Sequence, residues 1–159
     1  MTPERLLEIT RNTMEAAGFC FLVSQGSSGS ANARLMQPFA LTADWVVWCG
    51  ASPSSRKVAE VRENERVTLG YAYAPEGAYV TLLGQAQIVT NPALRRRYWR
   101  ESFAEFWPEG PEGENYVLIK FVPDRIELMN IAQGVAPEPF GLCPAVLERS
   151  DEGWQVVEA

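Results

Sequence analysis

The stretch AYVTLLGQAQIVT (78–90) constrains the fold of this chain more than any other. In an extended backbone, Val80, Leu82, Ala86 and Ile88 fall on one side and Tyr79, Thr81, Gln85 and Gln87 on the other. Leu83 alone breaks the polar set. A strand so long and so one-sided belongs to an antiparallel sheet with one face on a core. Gly84 at its middle predicts a bend or bulge, the device by which small barrels curve.

Shorter apolar runs lie on both sides of it. FCFLVSQ (19–25), ANARLMQPF (31–39) and WVVWCG (45–50) read as three antiparallel strands in meander order. RVTLGYAY (66–73) is a fourth. NYVLIKFVPDRIELMN (115–130) is two strands, or one long strand broken at Pro123-Asp124, and GWQVVE (153–158) is a last one. These runs are too short and too rich in β-branched and aromatic residues for helices. Six or seven short strands that follow one another point to a small antiparallel barrel.

Helices interrupt the strands. Thr2 can cap a first helix, with Pro3 at its first position and Gly18 after its end. Leu6, Thr10, Met14 and Ala17 form its apolar stripe, with Leu7 beside it. Ser54 or Ser55 can cap a short helix within 52–65, with Val58 and Val61 inward. Asn91 and Pro92 begin a third, over 91–107. The expected class is mainly β with inserted helices, an antiparallel barrel of six or seven strands in a single domain over 1–159. Its core occupies 1–130. A C-terminal extension, 131–159, carries the turn signals Pro137, Pro139, Gly141, Pro144 and Gly153.

Composition narrows the chemistry. A net charge of −6 argues against a nucleic-acid or anionic-membrane binder, which needs a basic surface. The chain has no histidine, so Ser-His-Asp and Cys-His catalysis, His-ligated zinc and His-ligated haem are excluded, and no metal is expected. Cys20, Cys49 and Cys143 form no CxxC pair, and their odd number fits reduced thiols in a cytoplasm. The N-terminus mixes acidic residues into its apolar ones and reads as no signal peptide. No apolar run is long enough to span a bilayer.

The most informative residues are SSRK (54–57). A helix start exposes backbone N–H groups and a partial positive charge. Arg56 and Lys57 place two cations where the dipole disfavours them. A bound anion such as a phosphate explains that, with Ser55 as a hydroxyl donor. The alternative is a solvated helix whose cations pair with Glu60 or Glu63. Arg34 and Met36 share one face of the strand ARLM (33–36), so Arg34 either meets the same anion or lies on a sheet edge. Trp48 and Cys49 end the strand before the SSRK loop, and Tyr79 opens the long strand. Aromatic residues mostly fill cores.

The order of these segments resembles the pyridoxamine 5′-phosphate oxidase-like family of flavin-binding split barrels, and within it the short general stress protein 26 branch. The resemblance rests on ARLM (33–36), VVWCG (46–50), SSRKVAEVRENERVTLGY (54–71), YVTLLGQAQIV (79–89) and WRESFAEFWPEGPEG (99–113), and covers roughly residues 5–130. It implies a six-stranded antiparallel barrel that dimerises and holds FMN in two clefts at the dimer interface. The positions matching FMN contacts are Arg34, Leu35, Met36, Trp48 and Cys49, with Ser55, Arg56 and Lys57 at the phosphate, and Tyr79 and Thr81 bordering the flavin.

The activity implied is that of an FMN-dependent oxidoreductase moving hydride between a reduced donor and a small substrate, with catalytic residues unassigned. A non-catalytic flavin-binding stress protein is one alternative, and a deazaflavin F420-binding barrel is another. F420 has a longer anionic tail, for which Arg95, Arg96 and Arg97 are candidates. Three departures separate the chain from the oxidases proper. Cys49 stands where threonine is common, GASP is inserted before SSRK, and their C-terminal arginine and histidine have no match. True pyridoxamine 5′-phosphate oxidase activity is therefore not expected.

Overall fold

A computed structural model describes residues 1–135 and 143–158. Pro137, Pro139 and Gly141 lie outside these residues.

Helix α1 (Pro3–Ala17) begins and ends where its caps predict. The Thr2 hydroxyl accepts from the Arg5 amide, and Gly18 takes a left-handed φ of 72°, its amide donating to the Met14 carbonyl. Leu6, Ile9, Thr10, Thr13 and Met14 are buried, a broader stripe than the expected one. The strands follow: β1 (Cys20–Gln25), β2 (Ala31–Met36), β3 (Val47–Ala51), β4 (Arg66–Tyr73), β5 (Ala78–Val89), β6 (Val117–Asn130), β7 (Ala145–Ser150) and β8 (Gly153–Val157). Helix α2 (Arg56–Glu63) lies between β3 and β4, and α3 (Pro92–Arg97) between β5 and β6.

All eight strands join one antiparallel sheet, in the order β2-β1-β4-β5-β6-β7-β8, with β3 also on β6. The count is eight rather than six. β1 to β6 fall within 1–130, and the tail adds the hairpin β7–β8. A single apolar cluster takes residues from β1 through β7 and from α1 and α2, among them Leu22, Leu69, Val80, Leu82, Ile126, Leu128 and Leu147. One interior shared by that many strands requires the sheet to wrap around it.

Three expectations need correction. β3 does not continue a meander from β2; Val47–Ala51 pair with Val117–Phe121 of β6. A short apolar strand declares its conformation, while its partner is set by distant packing. The span 91–107 is not one helix. α3 stops at Arg97, Arg100 is extended, and a 3-10 turn covers Glu101–Glu105. The break brings aromatic side chains inward: Tyr98 stacks on Trp48 with centroids 4.6 Å apart, and its carbonyl accepts from the Tyr116 hydroxyl. Finally, Pro123 does not divide 115–130. β6 is continuous, and the register with β5 shifts between Leu83 and Gly84, opposite Pro123. This is the irregularity Gly84 predicts.

Among the described residues, no helix is long and apolar enough to cross a membrane.

Candidate functional site

The strand registers decide which way each candidate faces. On β2, Met36 is buried in the core and Arg34 lies on the same side, while Leu35 points outward and is 58% exposed. Reading across the ladder, Leu35 opposes Phe21, Phe21 opposes Gly70, Gly70 opposes Thr81, and Thr81 opposes Glu127. Thr81 and Tyr79 thus share the outer face of the sheet with Leu35 and Phe21. Burial, then Glu127 and Cys143, push the Tyr79 hydroxyl above its usual range.

On β3 the sides divide again. Trp48 joins a second apolar cluster with Phe103, Tyr116 and Leu118. Gly50 lies two residues on, and a Cβ there would sit 2.8 Å from the Tyr116 ring, so glycine lets that cluster close on the strand. Cys49 faces the barrel interior. Burial, then neighbouring Cys20, holds its thiol far above the ordinary range, and burial pushes Cys20 up to about 11. Thiolates are the reactive form. In native protein near pH 8, Ellman's reagent is therefore expected to label Cys143, which is exposed, and to reach Cys20 and Cys49 only after denaturation. Rapid labelling of two or more thiols per native chain would contradict this placement.

At the start of α2, Ser55 occupies the cap position, but its hydroxyl donates backwards to the Ser52 carbonyl at 2.7 Å. The amides of Arg56 and Lys57 sit in the first turn, where no intrahelical acceptor exists. Arg56 and Arg34 both reach Glu60, Nε to Oε1 at 3.2 Å and NH2 to Oε2 at 3.3 Å. The pairing of these cations with Glu60, weighed from the sequence, is thus present for Arg56, and Arg34 shares it. Lys57 makes no hydrogen bond or ion pair among the described residues. Burial first, then the charge of Arg34, lowers its pKa from the ordinary 10.5.

Lys57 stands at one end of a cleft of about 350 Å³, within the usual range of small-molecule sites. Leu35, Met36 and the β3 end (Gly50, Ala51, Ser52) form one wall, and Phe103, Phe106 and Trp107 the other. Trp107 Nε1 donates to Ser52 Oγ at 3.0 Å and ties the two walls together. Phe106 at the rim is 71% exposed. Of the ten candidate residues, the cleft gathers Leu35, Met36 and Lys57 along its lining. Arg34 and Arg56 are drawn to Glu60, which with Arg56 lines a separate hollow beside Ser28 and Asn32, Trp48 and Cys49 turn to the two clusters, and Tyr79 and Thr81 lie farther across the outer face. The aromatic wall at 103–107 was not among the candidates. Its signal is the run FAEFW ahead of a Pro-Gly turn, whose Phe103, Phe106 and Trp107 stand at the i, i+3, i+4 spacing of one face.

The arginines 95–97 are occupied elsewhere. Arg95 NH1 donates to the carbonyls of Gly113 at 2.7 Å and Tyr116 at 3.1 Å, Arg96 pairs with Glu112, and Arg97 lies over the Tyr98 ring. They complement the C-terminal end of α3.

Comparison with known proteins places this geometry in context. General stress protein 26 of Bacillus subtilis (strain 168) is 30% identical over 90 residues, a match that spans 55% of this chain and 64% of that protein. The crystal structure of General Stress Protein 26 from Bacillus anthracis superposes with a TM-score of 0.69 at 24% identity, covering 79% of this chain and 94% of the other. A pyridoxamine 5′-phosphate oxidase-related, FMN binding protein from Nostoc punctiforme PCC 73102 superposes with a TM-score of 0.68 at 11% identity, covering 100% and 98%. The structural likenesses establish the split-barrel fold. The model of the family described as pyridoxamine 5′-phosphate oxidase like matches residues 7–136, and the chain belongs to that family.

Proposed function

We propose that this chain binds FMN in the cleft at Lys57 and acts as an FMN-dependent oxidoreductase. The observation that carries the reading is Lys57 itself. It is a half-buried cation without an acidic partner among the described residues, at a helix start, in a cleft whose other walls are largely apolar and aromatic. A phosphomonoester supplies the missing anion and a planar ring suits the walls. The family and the FMN-binding neighbour support the same reading.

In this reading Lys57 and the free amides at the α2 start hold the phosphate, Arg34 and Arg56 add their field from behind, and Leu35 and Met36 border the ring. Cys49 turns its thiol to the interior and pairs with Ile119 of β6, so it supports the β3 wall rather than lining the cleft. When bound, flavin supplies the hydride chemistry, which explains a chain without histidine. Among the described residues no carboxylate lines the cleft. Without the arginine and histidine of the oxidases proper, the substrate is a small molecule other than pyridoxamine phosphate. The commitment of Arg95 and Arg96 to local partners favours FMN over F420.

Tyr79 and Thr81 are too far across the sheet to share one chain's cleft with Lys57. Their exposed row, with Phe21 at 53% and Leu35 at 58%, fits a homodimer surface that brings them to the partner's cofactor. The free thiols suit a reducing compartment such as the cytoplasm.

The test is an absorbance spectrum of protein loaded with FMN and freed of excess. Flavin bands at about one cofactor per chain support the reading, and a colourless protein overturns it. Steady turnover with a donor–acceptor pair then separates an enzyme from a flavin-binding protein that does not turn over.

A further inference from the structure

Glu60 is the one charged residue that is buried among the described residues. Three hydrogen-bond donors and one further cation converge on its carboxylate. The Ser24 hydroxyl comes from β1, the Asn32 amide at 2.8 Å and Arg34 NH2 at 3.3 Å come from β2, and Arg56 Nε at 3.2 Å comes from one helical turn earlier. Hydrogen bonds, led by that from Ser24, hold the carboxyl below its ordinary pKa, so it is charged. Arg34 is further committed. Its NH1 donates to Ser24 Oγ at 2.6 Å and to the carbonyls of Asn32 at 2.8 Å and Leu22 at 3.3 Å. Of the three cations gathered at this helix start, two are drawn onto an internal carboxylate. Lys57 alone of the three has no side-chain partner among the described residues, while Arg56 pairs through Nε and leaves its outer nitrogens to solvent.

We propose that Glu60 is a built-in competitor for the cofactor phosphate, holding Arg34 and Arg56 on itself so that a bound phosphomonoester is gripped chiefly by Lys57 and stays exchangeable. The proposal rests on the reading of the cleft as an FMN site. Its physics is that of like charges. A phosphate dianion beside Lys57 lies within the field of the Glu60 carboxylate and is repelled by it. The same carboxylate draws Arg34 NH2 and Arg56 Nε to itself, donors otherwise open to the phosphate. Both effects weaken the grip. Formally, Arg34, Arg56 and Lys57 against Glu60 leave two positive charges, and neutralising Glu60 leaves three. The buried hydrogen bonds preserve this arrangement in the absence of ligand, so affinity is traded for exchange.

The experiment compares FMN with riboflavin, which has the same ring and no phosphate, by quenching of flavin fluorescence on the full chain and its E60Q variant. E60Q is expected to bind FMN about tenfold more tightly or better, and riboflavin within about twofold of wild type, because only the phosphate senses the charge. The ratio of the two affinities is the readout, since general loosening of the cleft moves both ligands together. Where E60Q does not fold, Glu60→Asp reads the same quantity. It keeps the charge, but its shorter arm cannot hold Arg34 and Arg56 together, and about threefold tighter FMN binding is expected. If wild type binds FMN and the folded variants bind it no more tightly, the competitor role is overturned while the FMN site stands. If neither wild type nor variant binds FMN, both are overturned.

Discussion

Replacing Lys57 with alanine is expected to weaken FMN binding by about 10- to 100-fold, the worth of a charge-assisted hydrogen bond of roughly 1.5–3 kcal/mol. Riboflavin affinity is expected to stay within about threefold, because in the proposed site the lost group faces the phosphate. Flavin fluorescence titrations of both ligands measure the two effects, and Lys57→Arg, which keeps the charge, is expected to recover much of the loss. An alanine variant with undiminished FMN affinity would remove Lys57 from the phosphate site. The pH dependence has a definite sign. Lys57 in the free protein has a pKa below 10.5, and a bound phosphate raises it. Affinity is full below the free value and falls as pH rises from the free value through the bound one, a decline that starts at lower pH than for an ordinary lysine. Folding stability without ligand responds in the opposite sense. The unfolded lysine binds more protons across that window, so the unliganded protein gains stability as pH rises through it.

Gly84→Ala is expected to be the most damaging single methyl group that can be added to the sheet. A Cβ at this position would lie 2.2 Å from the Val122 carbonyl oxygen, 2.7 Å from Pro123 Cα and 2.9 Å from the Val122 carbonyl carbon. All three are backbone atoms of β6, which cannot swing aside as a side-chain tip can. Relief requires β5 and β6 to separate at the register shift, in the longest pairing of the sheet. Overpacking of this kind costs about 3 kcal/mol or more out of a total stability on the order of 5–15 kcal/mol. Urea denaturation is expected to show a large drop in midpoint, or a protein that no longer accumulates folded. Gly70→Ala is the control. Nothing in its own chain lies within 4 Å of the point its new methyl would occupy, and a strand alanine there is expected to change the stability of the single chain by less than about 1 kcal/mol. Similar losses at both positions would refute the argument from close approach.

Local chemistry in the sequence accounts for much of the fold. α1 is marked by Thr2, Pro3 and Gly18, β4 by its boundaries at 66–73, and the bulge by a glycine in an alternating strand. What failed to show was non-local. The partner of β3 depends on how β6 is shared, which no short-range pattern records. The helical reading of 91–107 lost to tertiary packing, as Trp48 and Tyr116 both claim Tyr98. β7 had a legible signal, AVLERS ahead of the Asp-Glu-Gly turn into β8, obscured by the proline and glycine residues before it. At the site, the period of a strand put Arg34 and Met36 on one face, and the helix start singled out Arg56 and Lys57. That Glu60 takes Arg34 from another element, and that Phe103, Phe106 and Trp107 wall the cleft, are facts of three-dimensional packing.

The far edge of β6 is divided. Residues Val117–Phe121 carry β3, and Arg125–Leu128 carry β7, with the irregularity at Pro123 between them. The strand therefore works as a spine with two separate sockets along one edge. Shortening or rewriting the tail hairpin withdraws ladder partners from one socket and none from the other, where β3 holds the wall of the cleft. The two sockets still share one interior, where Ile126, Leu128 and Leu147 pack with Val47 and Cys49, so tail and cleft wall are coupled through the core rather than through the ladder.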